Sequence, residues 1–238
     1  NAGVSVPKPL EEFYDAAEKL ESDGVIPLAH GGQPWQDATV FEAVALAVMG
    51  PEDFAKAFVE HDMDVINSAK MEEVFAEFAK VMSYVDDNAA GRDWNTATGM
   101  VIRGEAAMQI MGDWAKGEFT AAGLTPGEDY ICAPAPGTGG QFTFNVDSFA
   151  MFSLSDEDNT RAQKDLARTI MEPEFQTLFN KAKGSIPVRT DMDMSGFDAC
   201  AQASMETFKS SAEDGGLVPS FAHGLATTSY VQGQIFDV

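Results

Sequence analysis

Cysteine is nearly absent. Cys132 and Cys200 are the whole complement, too few and too far apart for a zinc cluster or a CxxC redox pair. They leave two readings open, one disulfide in an oxidising compartment or two buried thiols. Histidine is as scarce: His30, His61 and His223 form no HExxH motif and have no cysteine at ligand spacing, so no metal site is expected. Basic residues are few, with 15 Lys and Arg against 38 Asp and Glu and a net charge of -23. Nucleic-acid binding needs a basic face to displace phosphate counterions, which excludes nucleic acid as a partner. The same sign disfavours anionic lipid surfaces and favours a neutral or cationic ligand. Long apolar runs are missing too. The longest, Phe41 to Met49, is broken by Glu42 and falls far short of the roughly 20 residues that cross a bilayer, so no stable membrane insertion is expected. There is no GxSxG elbow, P-loop or GxGxxG. Acidic pairs such as Asp86-Asp87 read as solvated surface rather than as glycosidase carboxylates. No catalytic constellation emerges, and the chain reads as a non-enzyme without a cofactor.

What is present describes a folded α/β body. The 238 residues are 45% hydrophobic and 22% charged, near the averages for globular proteins, and fit one large domain or one and a half. Apolar spacing predicts an amphipathic helix over 7–20, then a short buried strand in VIPLA. Helices are predicted over 38–49, stopped by Gly50-Pro51, over 53–59, and after the Asn67-Ser68 cap. Thr96 to Arg103 reads as a short helix and Ala106 to Met111 as a central strand. Strand pairing is expected to dominate from Tyr130 to Ser153, with helices returning over 159–170, 173–179 and 199–211. The first residue, Asn1, is not a Met, and Gly233 to Val238 read as the start of a helix, so the chain is expected to be a processed or cut form with any signal peptide outside it.

Aromatic residues stand beside polar ones in several apparent loops: Gln33 with Trp35, Asp113 with Trp114, Asn145 with Asp147, then Lys183 and Ala222-His223-Gly224. The mixture suits sugar recognition. A pyranose offers apolar C–H faces to an indole, while its hydroxyls need carboxylate acceptors and ammonium or imidazole donors.

The segment VIRGEAAMQIMGDW, residues 101–114, resembles the GxAAMxxxGxW signature of the extracellular solute-binding proteins of ABC transporters, the broad group that includes maltose-binding protein. MGDWAKGEFTAAG, FNVDSFAMF, KGSIPVR and VPSFAHG together resemble the periplasmic glucose/mannose-type sugar-binding proteins of Gram-negative bacteria. The resemblance runs over essentially the whole chain. It implies an α/β fold of the type II periplasmic-binding-protein kind, two lobes joined by crossing strands with sugar held between them. The family's chains are much longer, so the resemblance implies a truncated form. Residues 1–141 and 203–238 would be the second lobe, and 142–202 a crossover strand and helices of the otherwise missing first lobe.

Carried over motif by motif, the resemblance gives Trp114 a stacking role on the sugar, Asp147 an accepting role, Lys183 a donating role and His223 either. GGQPW matches the family pattern and adds Trp35 and Gln33, with Trp35 either reaching the cleft or packing beneath it. The implied function is that of the periplasmic, non-catalytic binding component of an ABC sugar importer. It would bind a monosaccharide, glucose foremost, deliver it to the membrane permease, and be a monomer at full length. An oligosaccharide or polyol binder, or a carbohydrate-active enzyme, is the alternative. Helices bearing Leu166, Ile170, Phe175, Leu178 and Phe179, and the SFAMF segment, would then present an uncovered apolar surface.

Overall fold

The computed structural model describes residues 3–226. Gly233 to Val238, and the part of the second-lobe expectation beyond residue 226, lie outside the described residues.

The first half alternates helix and strand. Helix α1 (Leu10–Ser22) starts with Glu11 and Glu12 at its positive end and buries Phe13, Tyr14, Ala16, Ala17 and Leu20, the stripe that 3.6-residue spacing dictates. It leads into β1 (Ile26–Leu28), which pairs in parallel with β2 (Ala106–Met108). Between these strands lie α2 (Pro34–Phe58), α3 (Met63–Ile66), α4 (Ala69–Met82) and α5 (Trp94–Ile102). The stop predicted at Gly50-Pro51 is present as a break within α2, one helix ending there and a second starting at Pro51. Gly50 takes φ 75°, which a residue without Cβ adopts freely, and Pro51 restarts the helix from its fixed φ. The Ser68 side chain accepts the Met71 N–H and caps α4 as predicted.

The second half is looser than predicted. A 3-10 turn (Asp113–Ala115) runs into α6 (Lys116–Ala121). Of the stretch expected to be strand-rich, only β3 (Phe142–Phe144) forms, paired in parallel with β4 (Leu217–Pro219). Pro134 and Pro136 have no N–H to give a ladder. Beyond β3, the Phe152 backbone finds a side chain instead of a strand. The Gln163 amide donates to its carbonyl at 2.9 Å and accepts its N–H at 3.2 Å. Helices α7 (Glu157–Met171), α8 (Pro173–Lys183) and α9 (Ala199–Asp214) follow.

The main core is made where α2 and α4 meet the segment from Val218 to Ala222, around Phe41, Phe54, Phe58 and Phe221. Each fully buried aromatic of this kind contributes roughly 1.5–3 kcal/mol. A second cluster joins α1, β1, α2 and α4 around Phe13, Leu28, Val44 and Val81. By contrast, α7 buries no residue. Phe149 is 61% exposed, Phe152 72% and Leu178 66%, with Met151, Leu154, Leu166, Met171 and Phe179 also exposed, whereas Ile170 and Phe175 are half-covered. Cys132 and Cys200 form a disulfide with Cα atoms 5.6 Å apart.

Candidate ligand-binding site

An open cavity of about 440 Å³ is lined by Trp35, Trp114, Asn145, Asp147, Lys183, Ala222 and His223, a volume within the range of small-molecule sites. Five separate stretches of chain supply it, and local chemistry seats each side chain.

Trp114 sits in the 3-10 turn after Gly112. Its ring folds back so far that a Cβ on Gly112 would lie 2.1–2.4 Å from the indole carbons. Gly112 is needed there for the close approach, not for its φ, which is -65°. The neighbouring Asp113 carboxylate accepts the Ile186 N–H at 3.1 Å and so fastens the loop after α8 to the Trp114 turn. Burial pushes this carboxyl's pKa up, opposed by bonds from Ser185 and Ile186. The α8 C-terminus comes close for a second reason. Gly117 faces the Lys183 carbonyl, where a Cβ would approach to 2.9 Å, and Gly184 ends α8 at φ 94° with its own Cβ position 2.7 Å from the Gly117 nitrogen. Lys183 is thereby held at the cavity, where its ammonium pairs with the Asp147 carboxylate.

Trp35 lies in the first turn of α2, after Pro34, and reaches the cavity rather than packing beneath it. Gln33 does not line the cavity. Its carbonyl oxygen accepts from the Trp35 indole N–H at 2.9 Å and from Gln36 at 3.1 Å, and its amide donates to Asp93 at 3.1 Å. With its side-chain hydrogen bonds made to Trp35, Gln36 and Asp93, Gln33 braces Trp35 from outside the cavity lining.

His223 stands between the two indoles, its ring edge-to-face with Trp114 at 4.9 Å and tilted against Trp35 at 6.0 Å. Burial lowers its pKa, partly offset by the charge of Asp147. Burial thus favours the uncharged imidazole. The cavity thus offers two indole surfaces, an amide, an imidazole and an ammonium–carboxylate pair, a set matched to a neutral polyhydroxylated molecule.

Sequence reasoning singled out Trp114, Asp147, Lys183, His223 and Trp35, and the fold brings all five to one cavity. It missed Gly112, Thr39, Glu42 and Ser220 behind them, and Asp113, read only as a polar neighbour of Trp114, proves to fasten the turn to the loop after α8. For Glu42 a signal existed, since a carboxylate inside the apolar run FEAVALAVM must be satisfied by something.

Comparison with known proteins agrees with this architecture. The protein named "Probable sugar-binding periplasmic protein" of Brucella suis biovar 1 (strain 1330) is 47% identical over 237 residues, covering 100% of this chain and 56% of its own length. The chain thus spans little more than half of that curated relative. Among solved structures, a chitin oligosaccharide binding protein superposes with TM-score 0.73 at 19% identity over 94% of this chain and 58% of its own. The bacterial solute receptor AcbH, described as having an exclusive preference for β-D-galactopyranose, does so with TM-score 0.68 at 18% identity over 99% and 59%. These likenesses identify an α/β fold of the periplasmic-binding-protein type, present as partial lobes. Residues 1–168 match the model of the bacterial extracellular solute-binding proteins, and the chain belongs to that family.

Proposed function

We propose that this chain is the larger part of the sugar-binding component of an ABC importer. It works outside the cytoplasm, in the periplasm, takes a monosaccharide, glucose foremost, and hands it to the membrane permease. The observation that carries this reading is the convergence of Trp35, Trp114, His223, Asn145 and the Lys183–Asp147 pair on one open cavity. An indole takes the C–H face of a pyranose, and the ion pair offers a donor and an acceptor side by side for neighbouring hydroxyls. The net charge of -23 suits a neutral ligand. A disulfide is most at home in an oxidising compartment, in keeping with a periplasmic setting.

The lobe assignment is part of the proposal. Residues 1–141 with 203–238 are the second lobe, and 142–202 belong largely to the first, whose remainder would cover the exposed apolar side chains of 149–154 and of α7 and α8. Sugar bridging the two lobes would stabilise a closed form by contacts that the open form lacks, and that closed form is what a permease reads. The intact protein that carries this chain, titrated calorimetrically with glucose, mannose and galactose, is expected to give saturable heat with glucose. No heat with any of the three overturns the monosaccharide reading. Heat with an oligosaccharide or polyol alone would keep the site and change its cargo. The enzymatic alternative requires two carboxylates astride a glycosidic bond, and incubation with an aryl glycoside is expected to release no phenol.

A further inference from the structure

Glu42 is the only acidic side chain in the buried class among the described residues, at 4% exposure. It lies in the apolar part of α2, where desolvation opposes its charge and nothing in helix formation calls for it. Its partners come from a single turn. The Ser220 hydroxyl lies 2.9 Å from both carboxylate oxygens, and the N–H groups of Phe221 and Ala222 donate at 3.1 and 3.2 Å. The same Ser220 oxygen accepts the His223 N–H at 3.0 Å. Buried carboxylate, serine relay and His223 backbone are thus one connected chain.

The imidazole is fixed from the same helix. Thr39, three residues before Glu42 on the same helix, donates its only hydroxyl proton to the Trp35 carbonyl at 2.8 Å. The 3.3 Å contact between the Thr39 oxygen and His223 Nε2 is therefore donated by the ring. This makes Nε2 the protonated nitrogen and leaves the lone pair on Nδ1. Trp35, Thr39 and Glu42 share one face of α2 at i, i+4 and i+7, and each touches the 220–223 turn or its ring.

We propose that Glu42 is a positioning residue of the ligand site: by holding Ser220 to Ala222 it sets the backbone from which His223 stands between Trp35 and Trp114, with Nε2–H committed to Thr39 and Nδ1 free to accept from a ligand hydroxyl. The proposal rests on the sugar-site reading for its ligand, but the ring geometry can be tested without one.

The test uses the intact protein with Glu42→Leu, Glu42→Gln and Ser220→Ala, read by imidazole 15N resonances and by glucose calorimetry, with His223→Asn identifying the His223 signals. Leu fills the space but accepts nothing. It is expected to turn the single Nε2–H tautomer of His223 into a mixture and to weaken glucose binding about tenfold or more. Gln keeps one carbonyl for the two N–H groups and an amide to meet the Ser220 oxygen, and is expected to preserve the tautomer and hold affinity within about threefold. A folded Glu42→Leu protein with wild-type His223 resonances overturns the proposal, since a merely structural carboxylate would move only the melting temperature. Should Glu42→Leu not fold, Ser220→Ala reads the same link, and unchanged His223 resonances there overturn it equally. If the wild type binds no sugar, the sugar reading fails on its own, and the resonances still decide the role of Glu42.

Discussion

Gly112 and Glu42 illustrate how much of the site rests on residues that never meet the cavity. Adding a methyl at Gly112 would put carbon within 2.4 Å of three indole atoms, so Gly112→Ala must swing Trp114 away. If the proposed sugar reading holds, the expected result is a loss of about tenfold or more in affinity for that sugar, measured by calorimetry on the intact protein, with little change in melting temperature because Trp114 is only half-buried. Glu42 is expected to show itself through pH. Burial pushes its pKa from 4.5 up to about 7, against the lowering effect of bonds from Ala222, Ser220 and Phe221. The folded state therefore holds this proton more tightly than the unfolded one. The resulting stability is fully present below pH 4.5 and is lost as pH rises through about 7. Glu42→Gln cannot titrate, so its melting temperature relative to wild type should climb between pH 5 and pH 7, and thermal scans across that window check it. His223 works the other way. Its lowered pKa gives a contribution present above the ordinary histidine value and lost in acid, which is why the comparison is made between variant and parent.

Among the elements, the pieces that carry the site are joined by few but specific ties. α9 meets the loop before β3 through the Cys132–Cys200 bridge. Nearby, the buried Lys116 of α6 donates to both oxygens of Asp198 at 3.0 Å, while Asp198 caps α9 by accepting the Ala201 N–H at 2.9 Å. The bridge closes a loop with a sequence separation of 68, which the chain-entropy model credits with about 4 kcal/mol. Reduction should therefore lower the urea midpoint by an amount equivalent to about 2–4 kcal/mol, with the same change in a Cys132→Ser/Cys200→Ser protein. α1 and α4 were legible because an apolar stripe at helical spacing shows within a few turns of chain, even though the partners it packs on are distant in sequence. α6 and β4 were not: α6 has six residues and β4 three, too short for periodicity to register. The run after Phe144 read as strand because alternating apolar residues suit a sheet, yet no neighbouring strand lies beside it among the described residues.

For the molecule as a whole, the uneven distribution of covered surface is the leading feature. One region has a dense aromatic core, while α7 buries nothing and Phe152 and Leu178 stand in solvent. If 142–202 belong to a first lobe completed elsewhere in a longer protein, these side chains should behave differently in the two settings. In the 238-residue chain, Phe152→Ser with Leu178→Ser is expected to shift stability by no more than about 0.5 kcal/mol, as for surface positions, and to reduce binding of a hydrophobic dye. In a protein of the relatives' full length the same pair should cost about 2–5 kcal/mol by removing buried apolar surface. Equal small effects in both settings would count against the lobe assignment.

Charge balance, the absence of catalytic motifs, most helix positions, and the residue types of the cavity were readable along the chain, because they depend on composition or on neighbours within a turn or two. Tertiary contact alone decided the rest. Gln33 came to brace Trp35 from outside the cavity lining because its amide is engaged by Trp35, Gln36 and Asp93. Glu42 became the anchor of His223 because a residue 178 positions away comes to lie beside it. A buried polar group takes its meaning from whichever partner fills its hydrogen bonds, and for partners so distant in sequence only the folded chain makes that choice.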